Sequence, residues 1–163
     1  MTPTPEKEAN MTRVRNAAAT VLLLGALSLS RLAHADPCLL DISGNDQMQY
    51  DKPTLTVPAS CKEVTLTLHH TGKLPKEAMG HDWVLMSTSD LGAVAQSGLS
   101  AGASKDYLEP GDKRVIAHTK VVGGGESTSV TFSTASMKPG GDYSYECTFP
   151  GHSALMKGKF KFG

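Results

Sequence analysis

The stretch that organises the reading of this chain is Tyr143-Ser144-Tyr145-Glu146-Cys147-Thr148-Phe149-Pro150-Gly151-His152-Ser153-Ala154-Leu155-Met156. Tyr143, Tyr145 and Cys147 share one parity, so a strand through them points the sulfur to the same inward face as the two aromatic rings. Phe149-Pro150-Gly151 then forces a turn that swings His152 back toward the sulfur, and Met156 follows four residues later. A thiolate, an imidazole and a thioether therefore fall within ten residues, at the end of a strand and in the loop that leaves it. A loop of this kind wraps one ion.

Outward from this stretch, period-two patterns dominate. Leu40/Ile42, Met48/Tyr50 and Leu55/Val57 each skip one residue; Val64, Leu66 and Leu68 alternate with Thr65, Thr67 and His69; Val130/Phe132 and Phe160/Phe162 repeat the pattern. Such runs are strands with one wet face. Turn-forming clusters separate them, among them Ser43-Gly44-Asn45-Asp46, Glu109-Pro110-Gly111-Asp112 and Lys138-Pro139-Gly140-Gly141. Many short strands at this spacing predict an all-β sandwich or barrel. The segment from Asp90 to about Ala103 differs: it is rich in Ala, Ser and Gly with Leu91, Val94 and Leu99 at near-helical spacing, and predicts a short helix or flap. Gly123-Gly124-Gly125 has no nucleotide-loop spacing and is expected to be a hairpin loop.

The beginning of the chain reads as a leader rather than fold. Arg13 and Arg15 precede the apolar run Ala17 to Leu29 and an Ala33-His34-Ala35 cleavage signature, the layout of a secretory signal. The run is too short for the roughly 20 residues that span a bilayer. Translation from Met11 would leave the signal intact, and the Arg-Val-Arg sequence fits general secretion better than twin-arginine export. Asp36-Pro37 before Cys38 is a poor lipoprotein setting, so no membrane anchor is expected. Residues 1–35 are thus expected to be removed and residues 36–163 to form one domain. The whole chain balances 16 basic against 16 acidic residues with no charged block, which excludes the electrostatic footprint of a nucleic-acid binder. Without the leader, 12 basic residues face 14 acidic ones, a net charge of −2. All three cysteines lie in the exported part, where a disulfide persists. Cys38 and Cys61 have no ligand-like neighbours and lie near two early strands, so they are expected to pair and to stabilise by about 3 kcal/mol, leaving Cys147 over.

Thiolate and thioether together select copper, and imidazole extends the set to Cu(II) as well as Cu(I). Two histidines, one cysteine and a weak methionine are the ligand set of electron-transfer copper sites, so one further histidine is required. His69, His70, His81 and His118 are the candidates. His81 has the best context: Met79-Gly80 before it allows close backbone approach, and Trp83-Val84-Leu85-Met86 after it reads as a buried strand. His69 falls on a wet strand face, His118 lies between Ala117 and Thr119 near charged residues and reads as a solvated surface histidine, and His70 has the apolar parity of a buried neighbour. No methionine-rich or histidine-rich tract points to metal delivery, and a single compact ligand set does not point to an oxidase or reductase.

Asn45-Asp46-Gln47-Met48-Gln49, Leu74-Pro75-Lys76, Met79-Gly80-His81, Trp83-Val84-Leu85, Lys105-Asp106-Tyr107-Leu108, Arg114 to Lys120 and Cys147 to Gly158 resemble segments of the azurins, small bacterial type 1 blue copper proteins of the cupredoxin family. The resemblance covers essentially all of residues 36–163. It implies an eight-stranded Greek-key sandwich with a helical flap, one copper ion held by His81, Cys147 and His152, Met156 as weak axial ligand and the Gly80 carbonyl opposite it. It also implies a structural Cys38–Cys61 disulfide, a partly buried, pH-sensitive His70, and an apolar docking patch of Met48, Leu74, Met79, Leu99, Phe149, Pro150 and Ala154. The implied role is that of a monomeric periplasmic electron carrier, not an enzyme, with c-type cytochromes and periplasmic reductases or dehydrogenases as partners. Two positions depart from the family pattern. Asp82 stands where azurins usually have Asn; it accepts a hydrogen bond from Thr148 but cannot donate one, and when ionised it lowers the reduction potential. Glu146 replaces an aromatic residue, and its parity, opposite to that of Cys147, is expected to let it reach solvent.

Overall fold

In the computed structural model, residues 36–163 are described; the expected leader and cleavage signature fall outside them. Nine strands follow one another: β1 (Leu39–Asn45), β2 (Gln49–Tyr50), β3 (Thr54–Val57), β4 (Glu63–His70), β5 (Val84–Ser87), β6 (Val115–His118), β7 (Ser127–Ser133), β8 (Tyr143–Glu146) and β9 (Lys157–Phe162). They form two sheets, ordered β2-β1-β4-β7 and β3-β9-β8-β5-β6. The short β2 pairs with β1 and β3 pairs with β9. Asp51-Lys52-Pro53 between them carries the chain from one sheet to the other, and Pro53 has no N–H to extend a ladder. β2 and β3 are thus two halves of one interrupted run, which reconciles nine segments with the eight-stranded expectation.

Alternation dictates which sides face inward. In β4, Val64, Leu66, Leu68 and His70 are buried while the residues between them are not. The three apolar ones pack with Ile42, Leu55, Val57, Trp83, Leu85, Phe132, Tyr145 and Phe160 into the core between the sheets. Burying this apolar surface, at roughly 25 cal/mol per Å² removed from water, is the main driving force for closing the sandwich. The Cys38–Cys61 disulfide ties the residue before β1 to the connection between β3 and β4.

β5 is buried on both faces. Its odd-numbered Leu85, with Trp83 just before the strand, faces the main core; Val84 and Met86 pack in a separate cluster with Val94 and Leu108. That second layer comes from the flap: a 3₁₀ turn (Thr88–Asp90), helix α2 (Ala93–Ala101) and another 3₁₀ turn (Ala103–Lys105). A shorter helix, α1 (Lys76–Met79), comes earlier in the chain. Of the three flap residues at helical spacing, Val94 is buried, Leu91 is half-buried and Leu99 is 45% exposed, so Leu99 is surface rather than core.

Two expectations are corrected. Gly123-Gly124-Gly125 is not a hairpin loop: it connects β6 in one sheet to β7 in the other, and Gly125 takes the positive φ of 80° that its turn requires. Glu146 does not reach solvent. It is 1% exposed, because the flap covers the face of β8 opposite to Cys147.

Candidate metal centre

Cys147 leaves β8 and its backbone remains tethered to the loop it opens. Its N–H donates to the Met156 carbonyl at 2.9 Å, and the Met156 N–H donates to the His152 carbonyl at 2.8 Å. The His152 N–H in turn donates to the Phe149 carbonyl at 3.0 Å, closing the turn made by Pro150 and Gly151. This ladder returns His152 to the sulfur, with Cys147 Sγ and His152 Nδ1 3.5 Å apart. His81 arrives from another part of the chain. It exchanges both backbone hydrogen bonds with Val122, each 2.9 Å long, so its Cα position is fixed by the segment after β6.

The ligand atoms of His81, Cys147 and His152 lie within 4.8 Å of one another, and all three residues are buried. The His81 Nε2 lies 2.8 Å from the Asn45 carbonyl. A carbonyl only accepts, so Nε2 carries the proton and Nδ1 presents its lone pair. Nδ1 is buried without a hydrogen-bond partner. Leaving such an atom unsatisfied is costly unless it faces a ligand, and here it belongs to the cluster with a thiol and a second imidazole. The donor set therefore fits copper. Met156, fully buried, packs with Cys147, Phe149 and Val121, and supplies the adjacent thioether.

The Gly80 carbonyl lies 3.9 Å from Cys147 Sγ. A Cβ at this position would stand 2.5 Å from Val121 Cγ1 and 2.6 Å from the Lys76 carbonyl oxygen, so only glycine lets this backbone pass. Gly44 is similarly constrained from the other side: a Cβ there would meet the Met156 methyl at 2.6 Å and the His81 ring at 2.8 Å. The sequence reading missed Gly44 and the Asn45 carbonyl. Both lie in the Ser43-Gly44-Asn45-Asp46 cluster, whose composition signals a turn but carries no sign of which side chain it would touch.

Burial governs the protonation of the set. The Cys147 thiol is pushed well up, by desolvation first and the neighbouring Asp82 carboxylate second, so a metal must displace its proton. Burial lowers His81, and lowers His152 to about 4 with help from His81 and His70. Both imidazoles are thus neutral ligands near pH 7. Asp82 is 1% exposed; one of its oxygens accepts the Thr148 N–H at 2.8 Å and the other the Thr148 hydroxyl at 2.6 Å. It ties the His81 segment to the Cys147 segment, although burial raises its pKa against these two hydrogen bonds.

His70 is buried and stacks on His81, with ring centroids 4.2 Å apart, and its Nε2 donates to the Met79 carbonyl at 2.7 Å. His69 is on the outer face, between Ser127 and Asp41, and His118 contacts the Thr119 carbonyl; neither joins the cluster. Of the residues expected in an apolar patch, Leu74 and Leu99 are 42% and 45% exposed, and Pro150 and Ala154 are exposed. Met48 and Met79 are half-buried. Phe149 is 8% exposed and packs beneath the surface against Tyr107 and His152. Leu155, 66% exposed, is a large apolar surface residue that the sequence reading did not include.

Residues 36–163 match the family of copper binding proteins described as plastocyanin/azurin. The chain is 54% identical over 139 residues to an azurin of Bordetella pertussis, covering 85% of this chain and 91% of that one. It is 53% identical over 140 residues to an azurin of Pseudomonas aeruginosa, covering 86% and 93%. With an azurin of Alcaligenes faecalis it shares 52% identity over 126 residues, or 77% of this chain and 98% of the other. The fold, the His-Cys-His cluster and these matches agree: the chain belongs to the plastocyanin/azurin family of copper-binding proteins, which are electron carriers and not enzymes.

Proposed function

We propose that residues 36–163 act in the periplasm as a shuttle for single electrons between redox proteins, through one type 1 copper ion held by His81, Cys147 and His152. Met156 and the Gly80 carbonyl would complete its set of donors. The observation that carries this reading is the buried, unpaired His81 Nδ1, in one cluster with the Cys147 sulfur and the His152 Nδ1. Copper, when bound, supplies a Cu(II)/Cu(I) couple that exchanges one electron.

The chain's own residues make that exchange cheap in structural terms. The Asn45 carbonyl holds His81 in one tautomer and orientation. The ladder between Phe149, His152, Met156 and Cys147 holds the other donors on a short loop with little freedom. Asp82 and Thr148 brace the two segments against each other. Donors fixed in this way need not reorganise when the charge of the site changes. The burial of Cys147, Met156 and His81 keeps water away from the sulfur.

Residues 1–35 act in this reading as the secretory leader. The patch formed by Leu74, Leu99, Pro150 and Ala154, with the half-buried Met48 and Met79 and with Phe149 beneath, docks c-type cytochromes and periplasmic reductases or dehydrogenases. Redox partners meet over small, weakly held surfaces, for which an apolar patch with little charge is suited. Leu74→Glu tests the assignment in stopped-flow exchange with the host's periplasmic proteins: exchange slows while the copper spectrum is unchanged. Exchange at the wild-type rate refutes the docking surface.

A further inference from the structure

Glu146 has no role in the copper set, yet it is one of the most deeply buried side chains of the molecule. It lies in β8 opposite Val84 of β5, on the face turned to the flap. The layer there is apolar, built from Val84, Met86, Val94 and Leu108. Among the described residues no lysine, arginine or histidine nitrogen lies within 4.0 Å of its carboxyl group. A polar group buried in this way requires hydrogen-bond partners.

The partners available are the N–H groups that open α2. The first turn of a helix leaves its N–H groups without intrahelical acceptors. At α2 the N-cap residue is Gly92, which has no side chain to supply an acceptor, and the first turn contains no acidic residue. Glu146 Oε1 lies 3.4 Å from the Gly92 N–H, and the carboxyl group also faces the backbone of Ala95. A carboxyl oxygen accepts such hydrogen bonds whether or not the group carries a proton. The other end of the flap is also fixed. Gly98 lies so close to the Tyr107 carbonyl that a Cβ would stand 2.0 Å from its oxygen, and the Tyr107 ring meets Phe149 edge-on with centroids 5.2 Å apart.

We propose that Glu146 is a positioning residue that caps α2 from the neighbouring sheet and so clamps the flap onto the strand that ends in Cys147. The flap is then anchored at two points on either side of the sulfur, Glu146 immediately before it and Phe149 shortly after it. The clamp does not depend on the function proposed above.

Amide hydrogen exchange on the copper-loaded and the metal-free protein tests the clamp independently of the copper reading. In the wild type, the Gly92 and Ala95 amides exchange more slowly than exposed amides. Glu146→Leu fills the same space without an acceptor and speeds exchange over Gly92–Gln96 by about 2–30-fold relative to the β4 amides, the range that corresponds to loss of a helix cap. Glu146→Gln, which keeps an acceptor oxygen, restores most of the protection. Wild-type Gly92 and Ala95 amides that exchange at the rate of exposed ones would overturn the proposal, with no variant needed. So would acceleration in Glu146→Leu shared equally by β4, the behaviour of an ordinary core residue, or a Gln variant as fast as the Leu one.

Discussion

Gly44→Ala adds one methyl group at the point where the first strand passes the metal centre. Gly44 is buried in β1, beside His70 in the parallel register with β4. The new carbon would stand 2.6 Å from the Met156 methyl and 2.8 Å from the His81 Cδ2, some 0.8 and 0.6 Å inside the 3.4 Å at which ordinary contact begins. His81 has no room to retreat: the His70 ring stacks on it at 4.2 Å and its Nε2 is held by the Asn45 carbonyl. Met156, at the free end of a flexible thioether, is the residue that yields. Overpacking of this kind costs about 1–3 kcal/mol. With an unfolding entropy of about 2.1 cal/mol/K per residue over roughly 130 ordered residues, the midpoint of the metal-free protein falls by about 4–11 °C. Calorimetry reads that loss. The absorption and electron paramagnetic resonance spectra of the copper-loaded variant read the displaced thioether. A variant with the wild-type midpoint and spectrum would show that Gly44 has space the structure denies it, and would refute the packing account of the site.

Removing the disulfide by Cys38→Ser with Cys61→Ser opens a loop with a sequence separation of 23, worth about 3.4 kcal/mol by chain entropy, and lowers the metal-free midpoint by about 13 °C; a loss below 3 °C contradicts this. His152 keeps a folded-state pKa of about 4 against roughly 6.5 when unfolded, so the unfolded chain takes up a proton that the folded one refuses as pH falls between these values. Metal-free stability is therefore complete above pH 6.5 for this group and lost toward pH 4, and urea titrations of His152→Gln show a shallower fall over that window; equal slopes contradict the assignment. Asp82→Asn removes the carboxylate that joins the two ligand segments and raises the reduction potential, with an equal or lower value by voltammetry as the contrary result. Asp82→Ala orphans the Thr148 N–H and hydroxyl, each at a cost of about 1–3 kcal/mol, and denatures at correspondingly lower urea concentration; an unchanged urea midpoint counts against the brace.

Parity and spacing carried much of this structure. The alternation in β4 placed His70 inside and His69 outside, and the run from Trp83 to Met86 marked a strand buried on both faces. The spacing from Cys147 to Met156 described a loop that returns to its own start, which the backbone bonds of that loop explain. What parity cannot supply is the identity of the layer that covers an outward face. Period two alone points Glu146 to water, because residues 88–108, which cover it, are remote in sequence and carry only weak helical signals. The triple glycine announced a turn but not that its two strands belong to different sheets, a property of the topology as a whole. The Asn45 carbonyl was invisible for a related reason: every residue has one, and only the close approach of His81 gives this one a task.

His81, Cys147 and His152 are proposed to hold a copper ion that changes oxidation state in place. Copper titration of the purified protein tests this most directly, followed spectroscopically through a cycle of reduction and reoxidation. One copper is expected to bind per chain, with an intense visible band that bleaches on addition of one electron and returns in full, with the metal retained, and that is abolished in Cys147→Ser. A colourless complex, copper lost during the cycle, or an undiminished band in Cys147→Ser would contradict it.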